Sequence, residues 1–332
     1  EHALKLKPEA YWIDSNRLFC LLGMNISPQE LKKEFAQWEQ RYGLLVNTRE
    51  VEYPHLPDPS RRLRIGYISP DFRHHAAAHL LKVFLTYHNR EQFETFCYAD
   101  IQIPDNETCY FQQISDHWRH IKGLTDVKVS QWIQKDQIDL LIEPGTGHTA
   151  DHRLRVFTLK PAPLQISFYP TSLEMTTIDY RVTDFCLDPT SSEPSKENLL
   201  HMELAVCYFP LTSAPPVVPL PVTSSGYFTF ASFNNLAKLN PDVIQTWSLI
   251  LQKIPDSQLF LKCKAFNSKQ TQKEWKVVFQ NHGIPEERLL FSGFSPNSYS
   301  HLMVYQQVDI VLDPFPYNGQ ITTCEALWMG RP

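Results

Sequence analysis

The chain has 332 residues, 42% hydrophobic and 20% charged, which allows two domains, each with a buried core. A formal charge of -5 with dispersed lysine and arginine argues against a nucleic-acid stripe or a basic membrane-binding helix, and no run approaches the roughly 18 apolar residues of a transmembrane span. Seven cysteines without a C-x-x-C pair read as reduced thiols of a cytosolic protein and not as metal ligands, and EHALKLKPEA carries no apolar signal-like core.

Residues 1–47 are expected to be helical. The opening EHALKLKPEA is similar to the close of a tetratricopeptide repeat, with an A-L-x-L-x-P ending. Helices are expected over 12–22 and 27–42, the second opening on Ser27-Pro28-Gln29-Glu30, a cap followed by proline at the first helical position. Its apolar positions Leu31, Phe35, Trp38 and Tyr42 form a packing stripe. The polar, proline-rich segment 48–64 reads as a linker into a first domain over 61–207. Strands are expected there at 63–69, 93–99, 138–142, 164–168 and 179–183, with helices from near Ala76 and over 127–135.

A second proline-rich connector, 208–225, precedes a domain over 226–332. The alternation restarts with strands at 227–232, 259–262, 289–292 and 308–312 and helices at 241–254, 269–282 and 298–306. The expectation is an α/β protein of two Rossmann-like, doubly wound halves with a site in a crevice between them. The chain lacks an initiating Met and stops at Arg331-Pro332 just after a helix, so both ends are expected to be cut and the second sheet incomplete.

The richest stretch is VDIVLDPFPYNGQITTCEALWMG, 308–330. It reads as a strand, a turn-rich loop over 313–319, and a helix from Ile321 with Thr322 or Thr323 as N-cap and Gly330 as its stop. Such a helix start presents backbone N–H groups and a positive dipole end at the carboxyl edge of a sheet, where phosphate binds. The hydroxyls of Thr322 and Thr323 add donors, and Glu325 is placed to accept from a ribose. The bland alternative is an ordinary strand-to-helix connection. Neither G-x-G-x-x-G nor a Walker motif occurs in a chain with only 11 glycines. In HHAAAH, His75 and His79 have the spacing of a zinc pair on a helix. No H-E-x-x-H and no third ligand accompany them, so no metal is expected.

This closing stretch resembles the nucleotide-sugar motif of the O-linked N-acetylglucosamine transferases, in the bacterial and plant-like branch with tetratricopeptide repeats. GYISPDFRHHAAAHLL is similar to that family's strand, D-F-x-x-H and helix, with His75 on the motif histidine. GTGHTADHRL resembles its G-H-T-x-G-N-R-L loop, with His148 on the motif position. KPAPLQISFYP resembles its K-P-A-P-x-Q strand and following loop, which carries Gln165, Tyr169 and Pro170 over as substrate-binding residues. FASFNNLAKLNP matches the strand and loop that bring Asn235 and Lys238, and His301 matches a histidine beside the uracil.

The resemblance implies a GT-B fold and metal-free, inverting transfer of N-acetylglucosamine from UDP-GlcNAc to Ser or Thr hydroxyls of proteins. Lys238, Thr322 and Thr323 would hold the diphosphate, Glu325 the ribose and His301 the uracil. His75 or His148 would lie near the acceptor hydroxyl. An imidazole near its ordinary pKa of about 6.5 would suit proton removal at neutral pH. By spacing alone Lys238 would be a surface lysine.

The chain departs from the family pattern at several points. Phe168 and Thr171 replace glycines, Asp151-His152 replaces Gly-Asn, one extra residue precedes the His148 loop at Glu143-Pro144, a lysine upstream of His301 is missing, and Ile321 lacks a hydroxyl. A non-catalytic scaffold module, or a GT-B transferase using another sugar or a small acceptor, therefore stays open. Expected partners are a UDP-sugar and a protein acceptor, with further protein partners through upstream repeats, and neither nucleic acid nor membrane.

Overall fold

The computed structural model describes residues 2–44, 53, 60–75, 77–145, 153–168, 171–188, 194–205, 208–210 and 214–332. His148, Tyr169 and Pro170 lie outside the described residues. The chain divides into two compact units. Unit 1 is Ile26–Phe209 with the N-terminal residues up to Leu21, and unit 2 is Pro210–Pro332 with Leu22–Asn25. Among the described residues, no helix is long and apolar enough to cross a membrane.

Three helices open the chain: α1 (His2–Leu6), α2 (Tyr11–Leu22) and α3 (Pro28–Tyr42). Ser27 caps α3 in a full capping box with Glu30, and Pro28 occupies its first turn. Phe35, Trp38 and Tyr42 of the expected stripe are buried, whereas Leu31 is half-buried.

In unit 1 strands and helices alternate as β1 (Leu63–Ser69), α4 (Ala78–Tyr87), β2 (Phe93–Ala99), α5 (Asn106–Ile114), β3 (His117–His120), α6 (Asp126–Lys135), β4 (Leu140–Glu143), α7 (Leu154–Thr158), β5 (Leu164–Ser167), β6 (Tyr180–Asp184) and β7 (Asn198–Met202). The sheet is parallel throughout, in the order β3-β2-β1-β4-β5-β6-β7. Central strands β1 and β2 are buried over their last five residues, as expected where helices cover both faces. Gly66 marks tight packing in β1: a Cβ there would lie 3.0 Å from Leu141 Cδ1 and 3.1 Å from the Tyr98 ring.

The sequence reading missed β3, β7, α5 and α7. β3 (HWRH) and β7 (NLLHM) are the two edge strands, half in solvent, and so lack a continuous apolar run. α5 is set by Asp105, which forms a capping box with Thr108. α7 is only five residues long and starts after Arg153 in the left-handed region, φ 49°.

Unit 2 continues with α8 (Val222–Ser225), β8 (Phe228–Ser232), α9 (Pro241–Lys253), β9 (Ser257–Lys262), α10 (Lys269–Gln280), β10 (Leu289–Ser292), α11 (Ser298–Val304), β11 (Ile310–Val311) and α12 (Ile321–Trp328). The strands are parallel in the order β10-β9-β8-β11. Successive residues point to opposite faces of this sheet, and each face has its own core. Phe230, Leu259 and Leu261 pack with Val243 and Trp247 of α9 and Phe279 of α10. Ala231, Phe233 and Phe260 pack with Leu302 of α11, Tyr305, and Ala326 of α12.

Two details differ from expectation. β11 is shorter than 308–312, because Asp309 is fully buried and its carboxylate accepts the Val222 and Thr229 N–H groups, each at 2.8 Å. Neither Thr322 nor Thr323 is the cap of α12. Gln320 stands in that position without a side-chain cap, and both threonines sit inside the first turn. Gly330 does end the helix, at φ 69°, with Gly330 N donating to Leu327 O and Arg331 N to Ala326 O, a Schellman closure.

Candidate active site

In unit 2 the carboxyl end of β8 runs into Asn234, Asn235 and a short 3-10 turn, Leu236–Lys238. Asn235 is exposed, and its Oδ1 caps this turn by accepting the Ala237 N–H at 3.0 Å. The turn aims Lys238 at the loop between β11 and α12. Its Nζ donates to the Asn318 carbonyl at 2.8 Å and to Asn234 Oδ1 at 3.1 Å, and lies 4.4 Å from the Tyr317 ring centroid. Burial pushes the Lys238 ammonium down to about 8, partly opposed by Asp313.

The same loop is drawn together from the other side. Asp313 accepts the Gly319 N–H at 3.2 Å and the Thr323 hydroxyl. Asn240 Nδ2 donates to the Phe315 carbonyl at 2.6 Å. A Cβ on Gly319 would meet the hydroxyls of Thr323 and Thr322 at 2.6 and 2.7 Å, so glycine is what allows the backbone to approach the helix start. Lys238, Gly319, Thr322 and Thr323 thus surround one point at the carboxyl edge of the sheet. The donors there, an ammonium, a backbone N–H and hydroxyls at a helix start, are those that hold a phosphate.

His301 and Glu325 form a second group in unit 2. His301 Nε2 is 3.0 Å from Glu325 Oε2, and its Nδ1 is 2.9 Å from Lys262 Nζ. The Tyr305 hydroxyl lies 3.1 Å from both Glu325 Oε2 and the Thr322 carbonyl, which ties this group to the start of α12. Phe233 stacks on Tyr305 with centroids 3.8 Å apart, and both rings meet His301 edge-on. The sequence reading missed Asn234, Asp313 and Lys262. The first two lie inside stretches it had singled out, but nothing marked Lys262 at the end of an ordinary strand.

In unit 1, His75 precedes α4 and is not on it, so it shares no helix face with His79. The zinc-pair geometry is not realised. His75 Nδ1 accepts the Ala77 N–H at 3.2 Å, which requires an unprotonated nitrogen, and Asp71 Oδ1 lies 3.4 Å away. Burial, with Arg73 and His74 adding, pushes His75 down to about 4. It is therefore neutral at physiological pH but a far weaker proton acceptor than the ordinary imidazole expected from sequence. His79 Nδ1 is 3.3 Å from the Phe209 carbonyl, a structural place.

Gln165, expected to bind substrate, is turned into the interior. It is fully buried, and its amide donates to the Phe157 and Thr177 carbonyls at 3.0 and 2.8 Å, bracing β5 from within. Arg153 is likewise internal, gripping Asp100 at 3.1 Å and Asp126 at 2.9 Å. Burial works against its charge, but these carboxylates prevail and hold it above its usual range. Glu143, at the end of β4, accepts from the Ser167 hydroxyl at 3.0 Å and the Gly145 N–H at 3.1 Å, while complete burial pushes its carboxyl up to about 7.

A sequence model of glycosyl transferase family 41 matches residues 44–209 and 223–332, both units of this architecture. The chain belongs to glycosyl transferase family 41. Over 338 residues it is 35% identical to the probable UDP-N-acetylglucosamine–peptide N-acetylglucosaminyltransferase SPINDLY of Petunia hybrida, covering 99% of this chain and 36% of that protein. The corresponding Arabidopsis thaliana protein is 34% identical, with 99% and 37% covered. Among solved structures, an O-GlcNAc transferase mutant from Thermobaculum terrenum superposes with a TM-score of 0.90 at 30% identity, over 100% of this chain and 63% of that one. The family 41 chain therefore has the GT-B fold, and it spans about a third of the length of its plant relatives.

Proposed function

We propose that this family 41 chain carries the transferase core of a protein O-GlcNAc transferase. The acceptor Ser or Thr oxygen attacks the anomeric carbon of UDP-GlcNAc, the bond from that carbon to the diphosphate oxygen breaks with inversion, the hydroxyl proton passes to solvent water, and UDP leaves. The observation that carries this reading is Lys238, held beside Gly319, Thr322 and Thr323 at the start of α12. A desolvated ammonium beside hydroxyl and backbone donors suits the negative charge that develops on a departing diphosphate. This assignment gives the leaving-group charge to protein groups and requires no divalent ion. Glu325 is assigned to the ribose and His301 to the uracil, with Asn235 at the exposed rim.

His75 is the described residue assigned to the acceptor hydroxyl. Its depressed basicity favours a role in accepting a hydrogen bond and orienting the oxygen over full proton abstraction in the ground state. His148, Tyr169 and Pro170 keep the roles that the family resemblance implies. The names of the relatives supply the sugar, the nucleotide and the peptide acceptor. A cytosolic setting, and protein partners bound through upstream repeats, complete the proposal.

Calorimetric titration with UDP tests the core of this reading, with Lys238→Ala alongside. Micromolar binding that weakens at least tenfold in the variant, about 1.4 kcal/mol, is the expected result. Transfer from UDP-GlcNAc to a protein acceptor, followed by mass spectrometry, should then be lost in Lys238→Ala. Absence of UDP binding by a folded chain would overturn the reading.

A further inference from the structure

We infer that Lys262 is a positioning residue that clamps His301 in one orientation and one tautomer, so that the ring can offer a nucleotide base only its face. A lysine ammonium has protons to give and no lone pair to accept with. The 2.9 Å contact between Lys262 Nζ and His301 Nδ1 therefore makes Nδ1 the acceptor. The proton of the neutral imidazole must then be on Nε2, which lies 3.0 Å from Glu325 Oε2 and donates to it. With both nitrogens engaged inside the protein, His301 has no hydrogen-bonding group left for a ligand.

The neighbours reinforce this orientation. Phe233 and Tyr305 meet the imidazole edge-on at 89° and 86°, and the Tyr305 hydroxyl shares Glu325 Oε2. Lys262 is the last residue of β9 and is buried, so the sheet itself fixes where its ammonium stands. His301 keeps 25% of its side chain exposed, enough to present ring surface. Stacking accepts any planar base, so selectivity among bases must come from groups other than the His301 nitrogens. Loss of Lys262 frees Nδ1, and the ring, held then only through Nε2 and Glu325, gains rotational freedom.

This inference rests on the reading of unit 2 as the nucleotide site, and two measurements keep the two apart. Nitrogen-15 NMR of the histidine ring reports the clamp without any ligand. The folded wild-type chain should show His301 with a pyridine-type Nδ1 and a pyrrole-type Nε2. Lys262→Met should leave Nδ1 pyridine-type, because Glu325 still holds the proton on Nε2, but move its resonance to that of a nitrogen with no hydrogen-bond donor, and Lys262→Arg should restore the wild-type position. UDP titration reports the consequence: affinity should fall about tenfold in Lys262→Met, recover in Lys262→Arg, and fall no further when His301→Ala is added to Lys262→Met. A protonated Nδ1 in the wild-type chain, or an Nδ1 resonance that does not move in Lys262→Met, overturns the clamp. A clamped His301 in a chain that binds no UDP upholds the clamp and defeats the nucleotide reading instead. A clamped ring with UDP affinity indifferent to Lys262→Met overturns the positioning role.

Discussion

The Thr323 hydroxyl reaches both carboxylate oxygens of Asp313, at 3.1 Å and 3.0 Å, and so ties the first turn of α12 to the loop before it. The Gly319 N–H donates to the same carboxylate. A carboxylate thus accepts from both a hydroxyl and a backbone N–H, which holds the loop against the helix start.

Gly319→Ala tests how close that approach must be. The added Cβ would fall 2.6 Å from Thr323 Oγ1 and 2.7 Å from both Asp313 Oδ1 and Thr322 Oγ1. Contacts this short force the loop away from the helix start, while the core around Phe230 and Trp247 is untouched. The expected outcome is at least a tenfold loss of UDP affinity by calorimetry with far-UV circular dichroism unchanged. Full retention of affinity would mean that the loop backbone does not form the site.

Lys238 should make binding and stability respond to pH in opposite senses. Its folded pKa is lowered to about 8 from an ordinary 10.5, so between these values the folded chain binds fewer protons than the unfolded one. Stability contributed by this residue therefore rises as pH rises from about 8 to 10.5. UDP affinity should fall over the range in which the ammonium loses its charge. In Lys238→Arg, whose guanidinium stays protonated, the alkaline loss of affinity should vanish. Titrations between pH 7 and 10, paired with urea unfolding, check both signs.

The residues explain why some of this was legible in sequence and some was not. The closing stretch was readable because turn residues, a helix start and a terminating glycine each act locally, and β1, β2 and β9 were readable because buried parallel strands are apolar runs. Edge strands β3 and β7 carry no such run. Gln165 shows the converse limit. A motif position predicted a ligand contact, yet the amide turns inward to satisfy two buried carbonyls, and no local pattern reveals which way a strand-end side chain faces. Lys262 and Asp313 act through partners 39 and 10 residues away, visible only once the chain has folded.

Arg153 should be among the most costly single positions in unit 1. Its guanidinium is buried with Asp100 and Asp126, and also donates to the Leu124 carbonyl at 2.9 Å. Arg153→Met leaves the two buried carboxylates only longer contacts, Lys122 to Asp100 at 3.8 Å and Arg155 to Asp126 at 3.5 Å, and breaking comparable buried pairs costs about 3–5 kcal/mol. Urea unfolding of the variant should show a loss of that order. Arg155→Met offers a control, because that residue is more exposed and reaches Asp126 only at 3.5 Å.

Glu143 makes the sharpest pH prediction in unit 1. The carboxyl is fully buried at the end of β4, and burial raises it from 4.5 to about 7. Both of its hydrogen-bond donors, the Ser167 hydroxyl and the Gly145 N–H, converge on Oε2, which leaves Oε1 to carry the proton. Because the folded pKa lies above the unfolded one, the stability contributed by this group is fully present below about pH 4.5 and is lost as pH rises to about 7. Glu143→Gln keeps an oxygen for both donors and removes the titration. The variant should therefore gain on the wild-type chain across this window, by up to about 3 kcal/mol at 1.36 kcal/mol per unit, and no further above pH 8. Paired denaturant unfolding at pH 4.5, 6, 7 and 8 measures the gap. A gap that stays constant with pH would show that Glu143 ionises as freely in the folded chain as in the unfolded one. A gap that grows as expected would mean that Gly145, a glycine at φ 67° with no room for a Cβ against the Phe168 carbonyl, is held by a carboxyl that titrates near neutrality.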